Sequence, residues 1–145
     1  MRIYLDNCCL NRPYDDQNSM KLFLETQAKL HIQQMIKQGR IELCSSYMLD
    51  YENSENPFEM RKKPIAGFLG DYAAIYVSVG SREKVEKIAA DIMTTGVKFK
   101  DACHVACALL AECDVFLTTD KRLLKYSSES IKMMNPIEFF EEEDR

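Results

Sequence analysis

The stretch D101-A-C-H-V-A-C-A-L-L-A-E-C-D-V-F-L-T-T-D-K-R-L123 carries the reading of this chain. Its first half, residues 101 to 112, is almost wholly apolar and reads as a helix with an acid at its positive end. DVFLTT, residues 114 to 119, reads as a short buried strand that stops at Asp120, with a further helix expected from about Lys121. Working outward, the N-terminal run RIYL, residues 2 to 5, is a second apolar, β-rich segment, and it stops at Asp6.

A polar loop, NRPYDDQN, leads to Ser19, an N-cap for a helix to about Gln38 whose apolar positions are Leu22, Phe23, Leu30, Met35 and Ile36. Gly39 supplies its stop. IELCSS, residues 41 to 46, predicts a strand followed by a helical YMLDYEN. A helical stretch with Met60, Ile65, Phe68 and Leu69 comes next, begun or bent by Pro64. AAIYVSV, residues 73 to 79, predicts a strand, and Ser81 caps a helix bearing Val85, Ile88, Ala89 and Ile92. A last strand near Ile131 to Met134 runs into Asn135-Pro136. Strands alternating with helices require crossovers, hence an α/β fold with a mostly parallel sheet covered on both faces.

The 145 residues suit one domain, residues 1–137, with an acidic, solvated tail at 138–145. That tail accounts for the net charge of −4; the first 137 residues carry 18 charges of each sign and do not repel an anionic partner. No apolar run approaches the ~18 residues of a membrane span, and the expectation is a cytoplasmic protein without membrane contact. The six cysteines contain no C-x-x-C and are read as buried thiols. Zinc on Cys103, Cys107 and His104 is disfavoured, because His104 lies about 100° round the helix from Cys103. His31 and His104 are read as structural.

In a parallel sheet, ligands bind beyond the carboxyl ends of the strands. Asp6 and Asp120 stand there directly. Glu52, one to two turns past the second strand, and Asp101 can reach the same edge. Four crowded carboxylates raise one another's pKa unless a cation neutralises them, and oxygen-only ligation favours Mg2+ or Mn2+. Such a site serves phosphodiester hydrolysis. Each acid also has a local reading, Asp101 as a cap, Asp6 and Asp120 as turn residues and Glu52 as a solvated helix position.

RIYLDN, the acid after the second strand, DACHVACALLAECDVFLTTDKRL and the final strand running into NP together resemble the PIN-domain nucleases, over essentially the whole chain. YLDNCCLNRPYDD looks like a bacterial or archaeal subgroup of them. The resemblance implies a three-layer α/β/α sandwich with strand order 3-2-1-4-5 and an endoribonuclease acting on single-stranded RNA. It implies Asp6 and Asp101 as metal ligands, Asp120 completing the set, Glu52 as the second acid with Asp50 its competitor, and Thr118 and Asn7 in support. Many small relatives are VapC-type toxins, which adds an antitoxin and a homodimer to the expected partners. Arg12, Lys121 and Arg122 are the foremost RNA-binding candidates, ahead of Arg61, Lys62, Lys63, Lys98 and Lys100. The rival reading is a PIN fold without catalysis, acting as an RNA-binding or protein-interaction module.

Overall fold

A computed structural model of the chain describes residues 1–15 and 17–143. The chain opens with strand β1 (Arg2–Leu5), whose Ile3, Tyr4 and Leu5 are fully buried, and turns at once into the short helix α1 (Asn7–Asn11). Helix α2 (Met20–Lys37) is capped by Ser19, whose hydroxyl accepts from the Leu22 amide, and it ends at Gly39, where φ is +74°. Strand β2 (Glu42–Ser46) leads into α3 (Tyr47–Ser54), and α4 (Glu59–Tyr72) runs into β3 (Ala73–Val77). Helices α5 (Arg82–Met93) and α6 (Phe99–Leu110) precede β4 (Val115–Leu117), and β5 (Lys132–Met134) precedes the closing helix α7 (Pro136–Glu143).

All four strand pairings are parallel and the order is β3-β2-β1-β4-β5, so β1 lies at the centre of an α/β/α sandwich. Leu5 pairs with Leu117, and the Asp6 amide extends that ladder by donating to the Leu117 carbonyl at 2.9 Å. The residues following β1 and β4 are therefore neighbours at one edge of the sheet. Tyr4 stacks on Phe116 with ring centroids 5.2 Å apart, which packs the two central strands together one residue before that edge.

Several expectations are corrected. No helix starts at Lys121: Asp120 Oδ1 accepts from the Arg122 amide at 2.9 Å in a local turn, and only a single 3-10 turn, Leu123–Lys125, follows. Helix α6 begins two residues before Asp101, so this acid sits in the first turn rather than opening it. On α2, Phe23 and Leu30 are each 44% exposed, while Glu25 and Lys29 are buried beside Ala28, Ile32, Met35 and Ile36. The buried face includes charges because Arg12 and Asn135 bind Glu25, partners no periodicity reveals.

Met60 is exposed, and Pro64 lies inside α4 rather than beginning it. The third strand ends at Val77, and Ser81 makes no side-chain cap bond because a 3-10 turn already leads into α5. Residues 138–143 belong to α7, which buries Phe139 and packs on α2, while Glu138, Glu141, Glu142 and Glu143 are exposed. Residues 144 and 145 of the acidic tail lie outside the described residues. No helix among the described residues is long and apolar enough to cross a membrane.

Candidate active site

Both oxygens of Asp6 are held. Oδ1 accepts from the Asn7 amide at 2.8 Å, so the residue caps α1, and Oδ2 accepts from Thr118 Oγ1 at 2.8 Å. Thr118 is fully buried and its hydroxyl also accepts from the Asp120 amide at 3.1 Å. One hydroxyl therefore ties the acid after β1 to the backbone of the acid after β4. Cys8 completes the same corner, its thiol 3.4 Å from Asp6 Oδ2.

Asp101 approaches from the first turn of α6. Its carboxyl is pushed up from the ordinary carboxylate range by partial burial first, and then by the negative charges of Asp6, Asp120 and Glu52, against a smaller opposing pull from His104. Asp101 thus feels the charge of each of the other three acids. Asp50 takes no part in that repulsion: its Oδ2 accepts from the Tyr76 hydroxyl at 2.5 Å. Asn7 contributes its backbone amide to Asp6, while its side chain receives the Asn11 amide group.

Glu52 is held by His104, whose Nε2 hydrogen-bonds Oε1. The imidazole is fully buried, and its Nδ1 lies 2.6 Å from Tyr4 Oη, which in turn lies 2.7 Å from Ser46 Oγ. Burial drives the His104 pKa down, but the hydrogen bond to Glu52 and the charges of Asp6, Glu52 and Asp101 outweigh it and leave the group above 6.5. His104 is thus hydrogen-bonded at both ring nitrogens, to Glu52 on one side and through Tyr4 to Ser46 on the other, which fixes the orientation of the ring. Burial likewise pushes Glu52 up, yet the His104 bond and charge, with Lys100, bring it below 4.5.

Among the described residues no three His, Cys, Asp or Glu side chains lie close enough to hold a metal ion between them. The expected trio of Asp6, Asp101 and Asp120 is not drawn together to that degree. Oxygen donors whose repulsion raises Asp101 nevertheless fit a hard cation, which takes one or two carboxylates directly and keeps the rest of its shell as water. Zinc on the α6 cysteines does not fit, since Cys103 and Cys107 are buried in the core and His104 is committed to Tyr4 and Glu52.

No family model and no curated protein matches the sequence. Among solved structures, the chain is similar to VapBC2 from Rickettsia felis bound to a DNA fragment from their promoter, with TM-score 0.57 and 10% identity over 93% of this chain and 98% of that one. It is also similar to FitAB bound to the IR36 DNA fragment, with TM-score 0.53 and 13% identity over 93% and 95% of the two chains. The chain has the fold of a VapC-like PIN domain.

Of the cations singled out for RNA, Arg12 is engaged by the protein itself. Its Nε donates to Glu25 Oε1 at 3.1 Å, and its two terminal nitrogens donate to Asp15 Oδ2 at 2.9 Å and Thr119 Oγ1 at 3.1 Å. Arg61 is likewise bound to Asp15 and to the Tyr14 carbonyl. Lys121 and Arg122 are exposed beside Asp120.

Arg122 also lines a cleft of about 620 Å3 whose wall includes Asp101 and Asp120 together with Lys98, Lys125 and Tyr126. Lys125 and Tyr126, which line the same cleft, are not among the residues the sequence singles out. His104 was read as structural, although its place three residues after Asp101 put both on neighbouring positions of one helix face.

Proposed function

We propose that this PIN domain is a metal-dependent endoribonuclease that hydrolyses phosphodiester bonds in single-stranded RNA, and that it is the toxin of a cytoplasmic toxin-antitoxin pair. The observation that carries the reading is the position of Asp101: a partly buried carboxyl whose proton affinity is raised by three other acids. Repulsion of that kind is costly to maintain in a folded protein and is relieved by a cation. The likeness to VapBC2 and FitAB supports the toxin and an antitoxin partner, and homodimer formation belongs to the same proposal.

Asp6 and Asp101 would hold Mg2+ or Mn2+, with Asp120 completing the set. The bound ion supplies neutralisation of the acids and polarisation of a phosphoryl oxygen. Thr118 and the Asn7 amide fix the two oxygens of Asp6, so that its carboxylate needs little reorganisation when the scissile phosphate arrives. Glu52, whose Oε1 is hydrogen-bonded by His104, would take the proton of the attacking water.

The test is cleavage of a mixed single-stranded RNA pool with Mn2+ or Mg2+. Activity that requires the ion and disappears in Asp6→Asn and Asp101→Asn supports the proposal. Cleavage no faster than in those variants, with RNA still bound, would make the chain a binding module.

A further inference from the structure

The cleft beside Asp101 and Asp120 has a composition that the acids alone do not explain. Lys98, Arg122 and Lys125 are exposed and line it, and none of these three side chains makes an ion pair or hydrogen bond among the described residues. Arg2, Arg12, Arg61, Lys62, Arg82 and Lys132 are paired with carboxylates, while other cations such as Lys84 and Lys87 are unpaired as well among the described residues, so these three are distinguished by lining one cleft together. The loop before α6 brings Lys98, and the turn after β4 brings Arg122, Lys125 and Tyr126, so two separate segments deliver cations to one concavity.

Three cations against two acids leave the lining positive in spite of the chain's net charge of −4. Tyr126 adds a half-buried aromatic ring to the wall. At about 620 Å3 the space lies within the ~300–1,000 Å3 range of ligand sites. Free cations following a groove together with an aromatic face are the physical means by which proteins hold single strands, through phosphate neutralisation and base stacking.

We infer that this cleft is the strand-holding subsite of the protein: Lys98, Arg122 and Lys125 bind the backbone phosphates of single-stranded RNA on one side of the scissile bond, and a base stacks on Tyr126. The inference rests on the nuclease reading above, and it assigns the side from which the strand reaches Asp101 and Asp120. Arg12, held by Glu25, Asp15 and Thr119, has no part in it.

Binding is measured without chemistry, by fluorescence anisotropy of a short labelled single-stranded RNA with EDTA present, over a range of salt concentrations. Lys98→Ala with Lys125→Ala should weaken binding at least about tenfold and flatten the log-affinity against log-salt slope by ~0.7 for each cation removed. Tyr126→Leu should weaken binding by about tenfold with the slope unchanged, and Tyr126→Phe should restore it. A double variant of two exposed cations on α5 that do not line the cleft, Lys84→Ala with Lys87→Ala, removes the same net charge and should bind as the parent does.

Wild-type affinity and slope in the Lys98/Lys125 variant, with metal-dependent cleavage intact, overturn the subsite and leave the nuclease reading standing. Equal losses in the α5 control overturn it as well, by reducing the effect to net charge. RNA binding that depends on the cleft, with no cleavage under any metal, keeps the subsite and removes the nuclease reading.

Discussion

Thr118 Oγ1 donates to Asp6 Oδ2 at 2.8 Å while accepting from the Asp120 amide at 3.1 Å. The donor is buried, so its loss leaves a carboxylate oxygen and an amide short of a partner. Thr118→Val should therefore lower stability by ~1–3 kcal/mol and slow metal-dependent cleavage by about tenfold or more, whereas Thr118→Ser keeps both bonds. Equal cleavage rates for the Val and Ser variants would show that the hydroxyl does not position Asp6.

Arg12 and Glu25 give a prediction about stability rather than binding. Glu25 is 1% exposed and accepts from Arg12 Nε and, at 2.6 Å, from Asn135 Nδ2. Removing the cation strands a buried charge, at a cost of ~3–5 kcal/mol. Urea unfolding should show Arg12→Ala strongly destabilised and the double variant Arg12→Met, Glu25→Met much less so. An Arg12→Ala protein with parental stability and weakened RNA binding would reverse the assignment and return Arg12 to the RNA-contacting set.

The Glu52–His104 pair sets a pH window. His104 sits above 6.5 in the folded chain, so its contribution is complete below 6.5 and is lost as pH rises through the folded value. Glu52 sits below 4.5, so its contribution is complete above 4.5 and is lost as pH falls through the folded value. Thermal stability should be greatest between these limits and should decline on both sides. In Glu52→Gln the same scan should be flatter at both ends; a scan that superimposes on the parent would mean that the pair contributes nothing.

Asp101 makes the opposite case. Its carboxyl is raised by burial and by Asp6, Asp120 and Glu52, so ionisation is disfavoured by folding and the metal-free protein loses stability as pH rises from 3.8 through the folded value. Asp101→Asn should melt higher than the parent at neutral pH without metal. Mn2+ should stabilise the parent, by ~2.7 kcal/mol at a hundredfold excess over Kd, and should do little for the variant. A parent melting temperature indifferent to Mn2+ and Mg2+ would remove the metal from the site.

Much of this molecule is legible locally. RIYL stops at Asp6 and DVFLTT at Asp120 because short apolar runs form buried strands and polar residues end them, and alternation with helices forces the strands parallel. The sequence alone therefore made Asp6 and Asp120 placeable at one edge. The turn after Asp120 was not, since its side chain captures the Arg122 amide and stops a helix that composition alone would allow.

The residues of the chain determined, by themselves, the α/β class and the boundaries of most elements, and offered the candidate acids, because hydrophobic period, caps and chain reversals act over a few neighbouring residues. Only the tertiary structure decided which polar groups meet. Glu52 binds His104 and leaves Asp50 to Tyr76, Arg12 is occupied by Glu25, and Lys98 joins Lys125 and Tyr126 in one cleft. The reason is that a buried charge or hydrogen-bonding group is satisfied by whatever the packing brings within about 3 Å, and partners 13, 26 or 52 residues apart leave no trace in periodicity.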